Sequence, residues 1–261
     1  MKPKFVTLIF TLLVCFGLNS SLQAQKAKQW IRYPSISPNA KQIAFSYQGD
    51  IWVVNIKGGE ARMVTSHEGY ERSPVWSPNS KQIAFMADWH GNGDVYVVDA
   101  QGGSPTRLTY HSSGDTPTAY TPDGKQVLFT SRRQDAHDSR IGSSGFGELY
   151  SISIDGGRPS QIMTTTAEYA NFDSAGKRIV FHDYKGFEDN FRKHHTSSVT
   201  RDIWMFDTDD EKYTRLSGFS GEDRNPVWSP DGDKVYFLSE QLNAAAPGEA
   251  DSNQPPQRSQ K

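Results

Sequence analysis

A short motif recurs five times along the chain and restricts the fold more than any other feature of the sequence. Each copy has a tight turn followed by a short apolar strand. The turns contain Pro38, Pro78, Pro122, Ser174 and Pro230, so successive copies are 40, 44, 52 and 56 residues apart. The shortest spacing is about the length of one four-stranded propeller blade, and the longer ones are that length plus loop insertions.

The second half of each unit is repeated as well. A third strand begins at an acidic residue, and a fourth, short strand follows a turn that contains a glycine pair in three of the copies. The third strands read Asp50-Ile51-Trp52, Asp94-Val95-Tyr96, Glu148-Leu149-Tyr150 and Asp202-Ile203-Trp204. Each unit is therefore predicted to be a meander of four antiparallel strands.

The apolar strands predict that these sheets stack on one another. In the first copy, Ile43 and Phe45 point to one face of the sheet and Ala44 points to the other, so both faces need cover. Blades arranged radially supply that cover. The fold class is predicted to be all-β: a β-propeller with four complete blades and a partial fifth, a fragment of a six-bladed propeller. A small propeller that ends in a natural tail is the alternative.

Three segments are expected along the chain. Lys2 and Lys4 precede an apolar run, and a small residue at Ala24 offers a cleavage site, so residues 1–24 are predicted to be a secretory signal peptide; an uncleaved anchor is the alternative. Residues 25–240 are expected to form the propeller. Residues 241–261 are expected to be a disordered polar tail. The mature protein is then exported, to the periplasm or the extracellular space, and is not held in a membrane.

The charge and the cysteine content argue against nucleic-acid binding and against cysteine chemistry. The formal charge is −2, and loss of the two signal lysines leaves no basic field that would favour nucleic acid. The single cysteine, Cys15, lies in the predicted signal, which excludes disulfides, a thiol nucleophile and cysteine metal sites from the mature chain. No metal and no cofactor is expected.

Catalytic machinery is not recognisable in the sequence. The segments Gly142–Gly145 and Gly218–Gly221 approach a nucleophile elbow but do not match it, and neither lies between a strand and a helix. No catalytic residue is therefore predicted. Arg132 and Arg133, at the end of the second strand of the third unit, are the candidate site residues, because guanidinium groups bind carboxylates through paired hydrogen bonds. Two ordinary surface arginines are the alternative.

The repeat resembles that of TolB, tricorn protease and prolyl-oligopeptidase propellers. The resemblance lies in its series of Ser-Pro-Asp-Gly, Ile-Ala-Phe, Asp-Ile-Trp and Gly-Gly motifs. It spans Arg32 to Glu240, and the segment Phe191–Trp204 is similar to a stretch of the tricorn family in particular. That resemblance implies the N-terminal propeller of a serine peptidase, which channels and holds oligopeptides while a later domain cleaves them; the predicted signal peptide adds that this peptidase is exported. It also implies that Arg132 and Arg133 bind the substrate's C-terminal carboxylate.

The resemblance implies two kinds of partner. One is the oligopeptide substrate together with the rest of the parent peptidase. The other is a protein partner, if the chain is a free-standing periplasmic propeller of the TolB type that acts as a binding module. An open ring also leaves strand edges uncovered, so a homo-oligomer is a further expectation.

Overall fold

The computed structural model describes residues 30–134, 146–186 and 198–241. Within them the chain forms four antiparallel sheets of four strands and one sheet of two strands. The predicted signal peptide and residues 242–261 of the predicted tail lie outside the described residues, as does segment 187–197, which includes part of the tricorn-like stretch. None of the described residues forms a helix long and apolar enough to cross a membrane.

Each sheet is one blade, and consecutive strands pair in chain order. Blade 1 contains β1 (Arg32–Ile36), β2 (Gln42–Tyr47), β3 (Asp50–Asn55) and β4 (Arg62–Met63). Blade 2 contains β5 (Glu71–Trp76), β6 (Gln82–Ala87), β7 (Asp94–Asp99) and β8 (Thr106–Arg107). Blade 3 contains β9 (Asp115–Tyr120), β10 (Gln126–Ser131), β11 (Glu148–Ser153) and β12 (Ser160–Thr166). Blade 4 contains β13 (Glu168–Phe172), β14 (Arg178–His182), β15 (Ile203–Asp207) and β16 (Lys212–Arg215), and blade 5 contains β17 (Asp223–Trp228) and β18 (Val235–Ser239).

The blades form a ring, and the first strand of each lies innermost. This arrangement confirms the all-β propeller with four complete blades and part of a fifth. The physical reason is visible in strand β6, where Ile83 and Phe85 pack in a buried cluster with blade 1 while Ala84 packs in a second cluster with blade 3. A third cluster joins blades 3 and 4 around Leu128 and Phe181. Alternate side chains of one strand thus serve two neighbouring interfaces.

The turns between first and second strands repeat one hydrogen-bond pattern. In blade 1 the Ser37 hydroxyl accepts the N–H of Gln42 at 2.9 Å and donates to Asn39 Oδ1 at 2.8 Å. Blade 2 repeats both bonds with Ser77, and blade 3 repeats them with Thr121. These short side chains satisfy the backbone within the turn, which explains why Ser-Pro-Asn and Thr-Pro-Asp sequences recur at these positions.

Candidate functional site

A cavity of about 930 Å³ lies at the centre of the ring, and all five innermost strands contribute to its wall. Proline, hydroxyl and tyrosine side chains make up much of the lining, together with two arginines and one glutamate: Arg72, Arg132 and Glu168. A concave site of this size accommodates a short peptide or another ligand of several hundred Å³. We refer to it as the central cavity.

The wall of the central cavity is shaped by β-bulges in the innermost strands. Tyr33, Ser73, Tyr169 and Asn225 each have a φ of 52° to 55°, and in all four strands the pairing register shifts beside them. A left-handed backbone conformation is unfavourable for residues other than glycine. It persists here because the flanking strand pairs fix both sides of the bulge. All four residues line the cavity.

The two candidate arginines have different environments. Arg132 is exposed and lines the central cavity. Arg133 is held within blade 3: its Nη2 atom lies 2.8 Å from Oδ2 of the fully buried Asp115. Its guanidinium also lies 5.0 Å from the ring centre of Phe129 and 4.9 Å from that of Tyr150. The structure therefore places Arg132 on the cavity wall and Arg133 in a packed ion pair.

A polar network crosses from blade 4 to blade 5 beside the cavity. Glu168 Oε2 accepts a hydrogen bond from His182 Nε2 at 3.2 Å, and His182 Nδ1 accepts the backbone N–H of Asn225 at 3.0 Å. These bonds assign the proton of neutral His182 to Nε2. Burial opposes ionisation of Glu168, but the hydrogen bond from His182 and the positive charges of Arg201 and Arg132 outweigh it and lower the Glu168 pKa.

Buried carboxyl groups occupy the junctions between blades. Glu71, at the start of β5, is fully buried; its Oε2 atom accepts the Ile51 N–H at 3.1 Å and the hydroxyl of Thr65. Burial raises the pKa of Glu71 to about 7, against the opposing effect of the Thr65 hydrogen bond. Thr65 also accepts the Ile51 N–H at 2.9 Å. This junction joins β3 of blade 1 to β5 of blade 2 and has a structural role.

Arg72, Glu168 and His182 were not predicted as site residues. For Arg72 a sequence signal existed, since an Arg-X-Pro triplet lies within three of the five innermost strands: Arg32-Tyr33-Pro34, Arg72-Ser73-Pro74 and Arg224-Asn225-Pro226. Glu168 and His182 had no such signal, because the fourth copy of the repeat is the most altered. Across the part of the chain that the structure describes, no group of three or more His, Cys, Asp or Glu side chains could hold a metal ion.

Comparison with known proteins agrees with this architecture. The family model for the tricorn protease N-terminal beta propeller domain matches residues 28–247. The chain belongs to the tricorn N-terminal propeller family. No curated protein sequence matches it significantly. Membership confirms the resemblance that the repeat motifs indicated.

Solved structures show the same fold as this tricorn-type propeller. The tricorn protease itself is 21% identical with a TM-score of 0.65 over 81% of this chain, which spans 20% of that protein. TolB from Acinetobacter baumannii is 23% identical with a TM-score of 0.58, covering 79% of this chain and 48% of TolB. A putative TolB from Agrobacterium tumefaciens is 20% identical with a TM-score of 0.57, covering 81% of this chain and 91% of that chain. At these identities the likeness concerns the fold alone.

Proposed function

We propose that this propeller is the non-catalytic N-terminal portion of an exported tricorn-like serine peptidase, and that its central cavity holds and passes oligopeptides. The observation that carries the proposal is the cavity of about 930 Å³, walled by all five innermost strands and with Arg132 on its surface. Tyrosine, proline and hydroxyl side chains on the same wall offer a peptide both apolar and hydrogen-bonding contacts.

Within this proposal Arg132 and Arg133 have distinct tasks. Arg132 binds the C-terminal carboxylate of the peptide directly, because it lies on the cavity wall. Arg133 positions Arg132 by fixing the end of β10, since its guanidinium is already bound to Asp115. Cleavage belongs to a domain of the parent peptidase outside this chain.

Peptide binding to the purified chain tests the assignment. We expect a fluorescent peptide with a free C-terminal carboxylate to bind at least about tenfold more tightly than its C-terminally amidated form. Arg132→Ala should remove that difference and leave binding of the amide unchanged. Arg158→Ala, at an exposed arginine outside the cavity lining, is the matched control. Equal loss of acid and amide binding in Arg132→Ala would show that Arg132 has no carboxylate-specific role.

The same preparation tests the non-catalytic part of the proposal. We expect no hydrolysis of fluorogenic peptides, because no serine segment of the sequence matches a nucleophile elbow. The buried His182 beside the cavity uses both ring nitrogens, one with Glu168 and one with the Asn225 backbone, and is not available as a base for a serine. Turnover that a serine-directed inhibitor abolishes would contradict it.

A free-standing binding propeller is the second candidate function. The observation that favours it is the fold likeness to the putative TolB from Agrobacterium tumefaciens, of which this chain covers 91%. The coding sequence beyond residue 261 separates the two. Further propeller repeats and a peptidase domain support the peptidase portion, whereas a stop codon directly after a closed ring supports the binding module.

A further inference from the structure

Three arginines share one register position on the innermost strands. Arg32 pairs with Ser46, Arg72 with Met86 and Arg224 with Leu238, in each case one residue before the bulge. Because the register is the same, these positions lie at one level of the ring, on blades 1, 2 and 5. In blades 3 and 4 the position is occupied by Thr116, paired with Thr130, and Glu168, paired with His182. We call these five positions the inner ring.

Two of the three inner-ring arginines have no acidic partner among the described residues. Arg72 is half-buried, its Nε atom is buried without a hydrogen-bond partner, and it forms no ion pair within residues 30–134, 146–186 and 198–241. Arg224 is also half-buried and likewise forms no ion pair there. Arginines elsewhere in the propeller behave differently, since five of them bind carboxylates: Arg107, Arg133, Arg178, Arg201 and Arg215.

The unpaired charge lies on the wall of the central cavity at Arg72 and beside that wall at Arg224. Arg72 lines the cavity directly, and Asn225, the neighbour of Arg224, lines it too. The charge of Arg224 reaches Tyr169 on the cavity wall, where burial is the main cause of the raised Tyr169 pKa and Arg224 opposes it. Glu168 is the one acid among the described lining residues, and it is occupied by His182 and Arg201. The cavity wall therefore has an excess of positive charge.

We propose that the inner ring selects oligopeptides with acidic side chains, which Arg72 and Arg224 bind through their carboxylates. This inference rests on the proposed function of the cavity in holding peptides and defines the class of peptide. A half-buried guanidinium without a partner binds a carboxylate strongly. Because it is already partly shielded from solvent, the guanidinium loses little water on binding and gains two charge-assisted hydrogen bonds.

An acidic peptide fits this charge distribution better than a nucleic acid does. Nucleic acid binding needs a basic track that follows many phosphates. Here the whole chain has a formal charge of −2, and the basic residues among the described cavity lining are two arginines, Arg72 and Arg132. A short ligand with a few carboxylates matches a cavity of about 930 Å³.

Binding of two amidated peptides to the full chain tests the inference. One pentapeptide contains three glutamates and the other has glutamine at the same positions, and amidation removes the terminal carboxylate that is assigned to Arg132. We expect the glutamate peptide to bind about tenfold or more tightly than the glutamine peptide at low salt, and the difference to shrink as salt screens the charges. An oligo-dT of similar charge is the third probe.

The double variant Arg72→Gln/Arg224→Gln identifies the residues responsible. We expect it to weaken binding of the glutamate peptide roughly tenfold to hundredfold and to leave the glutamine peptide unchanged. Arg72→Lys/Arg224→Lys, which keeps the charge, should retain part of the preference. Arg158→Gln is the matched control outside the cavity lining, and circular dichroism checks that each variant is folded.

The outcomes separate this inference from the proposed function. If both peptides bind equally to the unmodified chain, the acidic selection is wrong while peptide holding stands. If neither amidated peptide binds but a peptide with a free C-terminal carboxylate does, the acidic selection is wrong while peptide holding stands; if that peptide also fails to bind, both are wrong. If oligo-dT binds more tightly than the glutamate peptide and the double variant abolishes it, the ring binds polyanions and the peptide class is wrong.

Discussion

Arg133 Nη2 lies 2.8 Å from Asp115 Oδ2, and this contact joins the end of the second strand of blade 3 to the start of its first strand. The Asp115 side chain is fully buried and that of Arg133 is 13% exposed. The same guanidinium covers the rings of Phe129 and Tyr150. One residue along the chain, Arg132 lines the central cavity. Of these two adjacent arginines, Arg133 is therefore structural and Arg132 lies on the surface of the cavity.

We expect Arg133→Ala to lower the free energy of unfolding by about 3–5 kcal/mol, because it leaves the Asp115 carboxylate buried without its partner. Arg132→Ala, at an exposed side chain, should change it by less than about 0.5 kcal/mol. Urea denaturation followed by tryptophan fluorescence measures both. Similar small effects of the two substitutions would argue against a structural role for the Arg133–Asp115 pair.

Glu71 should make stability depend on pH. Its pKa rises from 4.5 to about 7 on folding because of burial, so the folded protein binds this proton more tightly than the unfolded chain. The Glu71 contribution to stability is therefore fully present below pH 4.5 and is lost as the pH rises through about 7. We expect Glu71→Gln to remove this loss, which amounts to as much as about 3 kcal/mol.

The measurement is urea denaturation of both proteins from pH 4.5 to pH 8. The difference between Glu71→Gln and the unmodified chain should grow in favour of the variant across that range. Glu68→Gln, at an exposed glutamate in the loop before β5, is the matched control. A difference that stays constant with pH would show that Glu71 titrates alike in both states.

Tyr120 occupies a position where two other blades have a tryptophan that bonds to the preceding blade. Trp76 Nε1 donates to the Ser35 carbonyl at 3.0 Å and Trp228 Nε1 to that of Asn171 at 3.3 Å. The buried Tyr120 hydroxyl has no hydrogen-bond partner among the described residues. We expect Tyr120→Phe to raise the free energy of unfolding by about 1 kcal/mol, since it removes an unsatisfied buried group.

Thermal denaturation compares that variant with Trp76→Phe, which loses a real hydrogen bond and some packing. Trp76→Phe should be destabilising by about 1–3 kcal/mol. A Tyr120→Phe protein that unfolds at lower temperature than the unmodified chain would indicate that the hydroxyl has a partner, such as an ordered water.

Self-association should depend on blade 5. Val227, Tyr236 and Leu238 are each more than half exposed on its two strands, and clustered apolar side chains on a strand pair favour contact with another molecule. We expect Leu238→Lys to shift sedimentation velocity profiles from associated species toward monomer. Ile56→Lys, at an exposed apolar residue in a turn of blade 1, is the control. A monomer at all concentrations in the unmodified chain would contradict the prediction.

The repeat made the blades predictable because turn chemistry and strand alternation are local. Ser37 and Ser77 make equivalent hydrogen bonds, so the turns of neighbouring copies have similar sequences and the strands on either side of them are recognisable. The partners of Arg133 could not be predicted in this way. Asp115 is 18 residues earlier in the chain, and its pairing with Arg133 depends on how strands β9 and β10 end together.

The site was harder to predict from the sequence than the fold, because its contacts also join residues that are far apart in the chain. The Glu168–His182 pair crosses two strands and takes its third member, the Asn225 N–H, from the next blade. The inner-ring arginines are different. Their Arg-X-Pro triplets were visible, but only the shared register of Arg72 and Arg224 shows that these side chains lie at one level of the ring.

The bulges in the innermost strands also restrict how a peptide can bind in the central cavity. Pro34, Pro74, Pro117 and Pro226 lie in four of the five innermost strands, and each removes a backbone donor beside a break in the pairing register. A peptide that binds as an additional β-strand needs a regular row of such backbone donors to pair with. The ring therefore excludes β-augmentation at these positions, and under the proposed function a bound peptide is recognised by side chains. A chain held in this way can slide along its own axis without breaking a ladder of backbone bonds.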